Sequence, residues 1–133
     1  MSVKGSSSLA LGIALSAVAC GPHIDTGAVP APPAETFACM TQAVRSLGYT
    51  ITTSQPAQGF LAAEKRDLTS PDSSEYSELS ISIYKNDDGK TQYLISGGRA
   101  RATPDGQRTT YGVMVLDSDG QAANDVAKRC GRH

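Results

Sequence analysis

Apolar residues change their spacing along the 133-residue chain, and each spacing predicts a different element. Residues 9–19 form an uncharged, mainly apolar stretch, whereas apolar side chains recur at helical intervals over residues 36–47. Two short segments, 49–53 and 60–66, then flank a turn that contains Pro and Gly, as in a β-hairpin. The pattern predicts an amphipathic helix followed by a first pair of strands.

The clearest alternation, over residues 76–101, surrounds the dipeptide Asp88-Gly89, which is typical of a tight hairpin turn. If these two residues form the loop, Asp87 faces Lys90 and the register of both strands is fixed. One face of the hairpin then carries three cross-strand pairs: Tyr84 with Tyr93, Glu78 with Arg99, and Tyr76 with Arg101. The other face carries an aliphatic layer made of Leu79, Ile81, Ile83 and Leu94.

A further turn at 103–106 leads into a fifth strand at 108–116, and a last helix is predicted over residues 121–130. Ser118 or Asp119 is placed to cap that helix. We therefore expect an α+β domain over residues 36–131. It would hold an antiparallel five-stranded sheet with the N- and C-terminal helices packed on one face.

The charge balance narrows the possible partners. The chain has 12 basic and 13 acidic residues, so it lacks the broad basic field that holds a phosphate backbone. We therefore expect no nucleic-acid partner. Aromatic residues make up only 5% of the chain, which leaves a core of modest apolar mass that would gain from a covalent link.

The N-terminus has the layout of a secretory signal, with one positive charge at Lys4 before the apolar stretch 9–19. Eleven helical residues would reach roughly 16 Å, about half of the hydrocarbon core of a bilayer. This segment is therefore too short for a transmembrane helix. Ala17 and Ala19 provide the small residues of a cleavage site, and we predict residues 1–19 to be a signal peptide.

Residues 16–20, with the sequence SAVAC, resemble the lipobox of the bacterial lipoprotein family, although Ala17 stands where Leu is commonest. The resemblance implies a diacylglyceryl thioether on Cys20, cleavage before it and acylation of the new N-terminus. Gly21 follows the cysteine in place of the Asp linked to inner-membrane retention. The resemblance therefore implies a lipid-anchored protein of the cell envelope, at the outer membrane and facing the periplasm, with membrane lipid as its partner.

With Cys20 assigned to lipid, Cys39 and Cys130 remain as a pair in a compartment that permits disulfides. A strict meander would place these two cysteines near opposite ends of the helical layer, so we predict that residues 67–74 cross the sheet or that the helices cross steeply. Residues 20–35 contain four of the seven prolines and predict a tether after the lipidated cysteine. Its extended length would be roughly 45 Å.

Catalytic chemistry finds little support in the sequence. Both histidines, His23 and His133, lie outside the predicted domain, so neither can pair there with a nucleophile. The acidic residues near Glu64 and Glu75 are ordinary for strand ends and loops, and residues 117–120 lack the ligand series of an EF-hand. We predict a protein that is not an enzyme and needs neither a cofactor nor a metal.

The remaining candidate is one sheet face rich in Tyr and Arg, which are frequent at interfaces. Its members are Tyr76, Glu78, Tyr84, Tyr93, Arg99 and Arg101. A solvated face of cross-strand pairs would explain the same residues. Our hypothesis is an interaction or structural module that binds an envelope protein or a cell-wall glycan. The alternative is a small secreted periplasmic ligand-binding protein or enzyme without a lipid anchor.

Overall fold

The structure, a computed structural model, describes residues 23–68, 75–111 and 117–131. The predicted signal peptide and Cys20 lie outside these residues. The described elements are, in chain order, β1 (His23–Val29), α1 (Pro33–Ser46), β2 (Thr50–Gln55), β3 (Phe60–Arg66), β4 (Glu75–Lys85), β5 (Thr91–Ala102), β6 (Arg108–Tyr111) and α2 (Asp117–Cys130). A short 3₁₀ turn, Pro56–Gln58, joins β2 to β3.

All strand pairs of the sheet are antiparallel, and five strands lie side by side in the order β1-β5-β4-β3-β2. The outer edge of β5 is shared by two strands, because β1 pairs with residues 91–97 and β6 pairs with residues 99–102. The predicted α+β class with an antiparallel sheet is therefore confirmed. The sheet gains β1, and the fifth predicted strand is described over 108–111 as β6.

β1 corrects the predicted tether, because residues 23–29 are a strand of the sheet and not a linker. A Cβ atom on Gly27 would lie 2.6 Å from the hydroxyl oxygen of Tyr93, so only glycine leaves room for that ring beneath β1. Val29, at the end of the strand, is buried in the core. The chain therefore joins the domain at His23, well before the predicted boundary at residue 36.

The helices begin earlier than predicted. Proline in the first turn of α1 fits a position that needs no backbone donor, and Glu35 in that turn and Arg45 in the last turn suit the helix dipole. Gly48, with φ of 89°, takes the left-handed conformation that follows the helix. Residues 118 and 119 lie within α2 and do not precede it, so the predicted cap is wrong.

Both helices contact the sheet on one face, and the core lies between them and the sheet. α1 buries larger side chains than α2, whose inner face is mostly alanine and therefore approaches closely. The buried helical residues are Thr36, Phe37, Met40, Ala43, Val44, Ala122, Ala123, Val126, Ala127 and Cys130. They meet the sheet residues Leu61, Ala63, Leu79, Ile81, Ile83, Tyr93 and Ile95.

The β4–β5 hairpin has a three-residue loop, so the predicted two-residue loop is wrong. Asn86 faces Lys90, and its side-chain oxygen accepts hydrogen bonds from the backbone N–H groups of Asp88 (3.0 Å) and Lys90 (2.9 Å). These bonds favour a turn that starts at Asn86, with Gly89 in the left-handed conformation at φ of 78°. The register is shifted by one residue, so that Tyr84 pairs with Gln92.

The predicted disulfide between Cys39 and Cys130 is confirmed, with a Cα–Cα distance of 5.8 Å. The prediction that the connection after β3 crosses the sheet is wrong, because β3 and β4 are adjacent antiparallel strands and the N–H of Asp67 donates to the carbonyl of Glu75 at 2.8 Å. Residues 69–74 of that connection lie outside the described residues. The helices meet because they run in opposite directions. Leu47, after α1, and Gln121, early in α2, line one cleft, while the middle of α1 is bonded to the end of α2.

Candidate functional site

The six predicted partner-binding residues do not form one surface. Because the hairpin register differs by one residue, the members on β4 and those on β5 point to opposite faces of the sheet. The face away from the helices, here called the outer face, carries Tyr76, Glu78 and Tyr84. The face toward the helices carries Tyr93, Arg99 and Arg101.

Tyr93 is part of the core and not of a binding surface. Tyr93 is only 3% exposed, and its ring lies close to both Gly27 and Gly131. Its hydroxyl lies 3.5 Å from a carboxylate oxygen of Asp25 on β1, at the limit for a hydrogen bond. The tyrosine therefore fixes β1 and the end of α2 to β5.

Arg99 is a buried cation with two acidic neighbours. Only 6% of its side chain is exposed, and its Nη1 atom lies 2.8 Å from Asp67 Oδ2 and 3.5 Å from Glu75 Oε2. Glu75 also lies 3.4 Å from Arg101, whose side chain is 52% exposed. Two arginines and two carboxylates thus balance each other at one end of the sheet, and they join β5 to the ends of β3 and β4.

The outer face carries cross-strand pairs. Arg66 Nη2 donates to the hydroxyl of Tyr76 at 3.2 Å, and its guanidinium lies 5.6 Å from the centre of the same ring. The hydroxyl of Tyr84 lies 3.5 Å from Gln92 Oε1. Between these pairs the face carries many small side chains, which include Thr26, Ala62, Ser80, Ser82, Ser96 and Gly98. The exposed apolar residues Ile24 and Leu94 lie on the same face, so Leu94 is not part of the predicted aliphatic layer.

A cleft of about 520 Å³ opens at the sheet end that carries Arg99. Lys65 Nζ donates to the carbonyl of Leu47 at 3.0 Å and lies 5.9 Å from the centre of the Tyr49 ring. Leu68 also lines the cleft and is 79% exposed. The lining thus combines apolar surface with basic side chains and the carboxylates of Asp67 and Asp125. Its members come from five separate segments, so no local sequence pattern indicates this cleft.

The turn after β5 contains a carboxyl whose pKa is clearly displaced. The hydroxyl of Thr103 donates to Asp105, and the N–H of Gln107 lies 3.4 Å from the same oxygen. These hydrogen bonds, the one from Thr103 above all, lower the pKa of Asp105 below its ordinary value. The carboxylate therefore stabilises this turn when it is ionised.

Metal ligands are not grouped in the described segments, where no three His, Cys, Asp or Glu residues are placed to hold an ion. Within the same segments, none of the helices has the length and apolar character needed to cross a membrane. Comparison of the whole chain with protein-family models and with curated proteins finds no match.

Proposed function

We propose that the protein is a lipid-anchored protein of the bacterial cell envelope, at the outer membrane and facing the periplasm, whose domain serves as a non-enzymatic interaction or structural module. One observation carries the proposal. The Cys39–Cys130 disulfide uses both cysteines of the domain, so that Cys20 is the one cysteine of the chain outside this pair. A disulfide of this kind is typical of proteins outside the reducing cytosol.

The surroundings of Cys20 in the sequence support lipid attachment. The residue ends an apolar stretch that has the layout of a secretory signal, and residues 16–20 resemble a lipobox. Two or more acyl chains anchor a protein stably, whereas a single chain binds only reversibly. A cysteine acylated in this way would hold the domain on the membrane without a transmembrane helix.

The bonds that buried polar groups make within the fold support the proposal of a module without catalysis. Thr36 donates its hydroxyl to the carbonyl of Pro32 at 3.0 Å, and Arg99 is paired with Asp67 and Glu75. These groups therefore bind parts of the fold itself. The outer face is the surface that we propose for an envelope partner, because the helices cover only the other side of the sheet.

The intact mass of the protein from membranes of its native host tests the proposal, measured without reduction and with and without thiol alkylation. We expect a chain that begins at Cys20, carries acyl chains and takes up no alkylating reagent. A Cys20→Ser variant is the control and should lack the acyl mass while it retains the disulfide. A soluble, unacylated chain would contradict the proposal and favour a secreted ligand-binding protein or enzyme.

A further inference from the structure

The chain enters the fold near one end of the sheet. His23, the first residue of β1, pairs with Gly97, and β1 runs from there toward Thr91. β5 extends in the other direction to Ala102, about 17 Å beyond Gly97 at 3.4 Å per residue. We call the sheet end beyond Gly97, with Leu68 and the turn at 103–107, the entry end.

The position of Cys20 limits how the domain can face a bilayer. Three Cα–Cα steps lead from Cys20 to His23, which span at most about 11 Å. The opposite sheet end lies about 20 Å from His23, because Thr91 is six residue steps along β5 from Gly97, the partner of His23. A domain that stands upright with that opposite end on the bilayer is therefore excluded, because Cys20 could not then reach the membrane.

The same distances bring the entry end to the membrane surface. β5 reaches about 17 Å beyond the level of His23, which exceeds the 11 Å available to the chain before it. If the strands stood upright on the bilayer, the tip of β5 would enter it. The domain must therefore tilt from the upright position, with the entry end at the level of the lipid.

The side chains of the entry end suit a lipid surface. Leu68, at 79% the most exposed of the large hydrophobic residues in the described segments, lies at this end. The exposed basic residues Lys65 and Arg66 precede Leu68 along the chain. Apolar side chains beside Lys and Arg are typical of protein surfaces that rest in a membrane interface.

We infer that the entry end is a membrane-contact surface, with Leu68 in the interface of the phospholipid bilayer that holds acylated Cys20. This inference rests on the proposed lipid attachment. The β4–β5 hairpin loop, residues 86–90, then points away from the membrane. The outer face of the sheet stands at an angle to the bilayer and faces the surrounding periplasm.

A single introduced tryptophan tests the inference, because the chain contains none. Leu68→Trp places the probe at the entry end, and Tyr84→Trp places the same side chain at the opposite end, at a residue that is 47% exposed. Each full-length variant is isolated from membranes, its acyl mass is measured, and it is reconstituted into vesicles that contain brominated phospholipids. Both positions are exposed, so both variants should retain the fold.

We expect bromine to quench the tryptophan of L68W several-fold more strongly than that of Y84W, with emission shifted to shorter wavelength only in L68W. Equal quenching, or no quenching of L68W in protein that floats with the vesicles and carries the acyl mass, would overturn the contact surface and leave lipid attachment intact. Protein without the acyl mass would overturn both.

Discussion

Arg99 on β5 donates to Asp67 after β3 across 2.8 Å, although only 6% of the arginine side chain is exposed. A buried guanidinium loses its hydration, so it depends on its partner carboxylates. Glu75, at 3.5 Å, provides the second one. The pairing therefore ties the end of β3 to β5 across β4, at the entry end of the sheet.

Asp67→Ala should lower the free energy of unfolding by about 3 kcal/mol, because it removes the nearer of the two carboxylates described beside the buried charge of Arg99. Arg101→Ala is the matched control: its side chain is 52% exposed, and its loss should change stability by less than about 1 kcal/mol. Urea unfolding followed by circular dichroism measures both variants. Equal changes would mean that Arg99 does not depend on Asp67.

Removal of the disulfide by Cys39→Ala with Cys130→Ala should lower the free energy of unfolding by about 4 to 5 kcal/mol. The bridge joins residues 91 positions apart, so its loss greatly enlarges the unfolded ensemble in the chain-entropy model. A reductant should lower the unfolding midpoint of the wild-type protein as far as the two substitutions do. An unchanged midpoint in the double variant would exclude a stabilising bridge.

Gly59→Ala should be far more damaging than Gly89→Ala. Both glycines have positive φ, 68° and 78°, so an alanine at either costs about 1 to 2 kcal/mol. A Cβ at residue 59 would also overlap the carbonyl oxygen of Ile83. A Cβ at residue 89 would meet open space, with no other part of the fold within 4 Å. We expect G59A to lose about 3 kcal/mol or more in thermal or urea unfolding. Similar losses would disprove the close approach of the β2–β3 turn to β4.

Asn86→Ala should loosen the β4–β5 loop, because two backbone N–H groups lose their side-chain acceptor. The expected loss is about 1 kcal/mol, since water reaches this exposed loop. Amide hydrogen exchange at Asp88 and Lys90 should accelerate, and Asp87→Ala in the same loop should leave it unchanged. Unaltered exchange in N86A would mean that Asn86 does not set the loop.

Asp105 should make the turn at 103–107 sensitive to acid. Its pKa in the folded protein is lowered, so its contribution to stability is present above the pKa of the unfolded chain, about 3.9, and is lost as the pH falls through the lower folded value. An NMR titration should show this low pKa, and Thr103→Val should raise it because the main hydrogen-bond donor is removed. The same pKa in both proteins would contradict this cause.

The strands and helices within residues 36–131 followed from residue patterns, because periodic burial leaves a periodic sequence. The register of the central hairpin did not, because the Asp88-Gly89 pair fits both a two-residue and a three-residue loop. The choice is made by Asn86, through hydrogen bonds to Asp88 and Lys90. A shift of one residue moved Tyr93 and Arg99 from the predicted binding surface to the interior.

The residue pattern does not predict β1, for a different reason. Its inward positions include Asp25 and Gly27, which leave room for the Tyr93 ring and therefore give no apolar alternation. The prolines that follow the strand strengthened the prediction of a tether. Contacts with a side chain 68 positions away decide the structure of this segment, and local patterns do not carry that information.

The disulfide determines which part of the chain can be stretched by a pulling force. Tension applied to the two termini passes from Cys39 to Cys130 through the sulfur atoms, so the residues between them carry none of it. β1 is the one described strand outside this covalent ring. A pull on the N-terminus can therefore draw out His23 to Ala38 as extended chain, roughly 55 Å long, while the ring that contains the other strands stays closed.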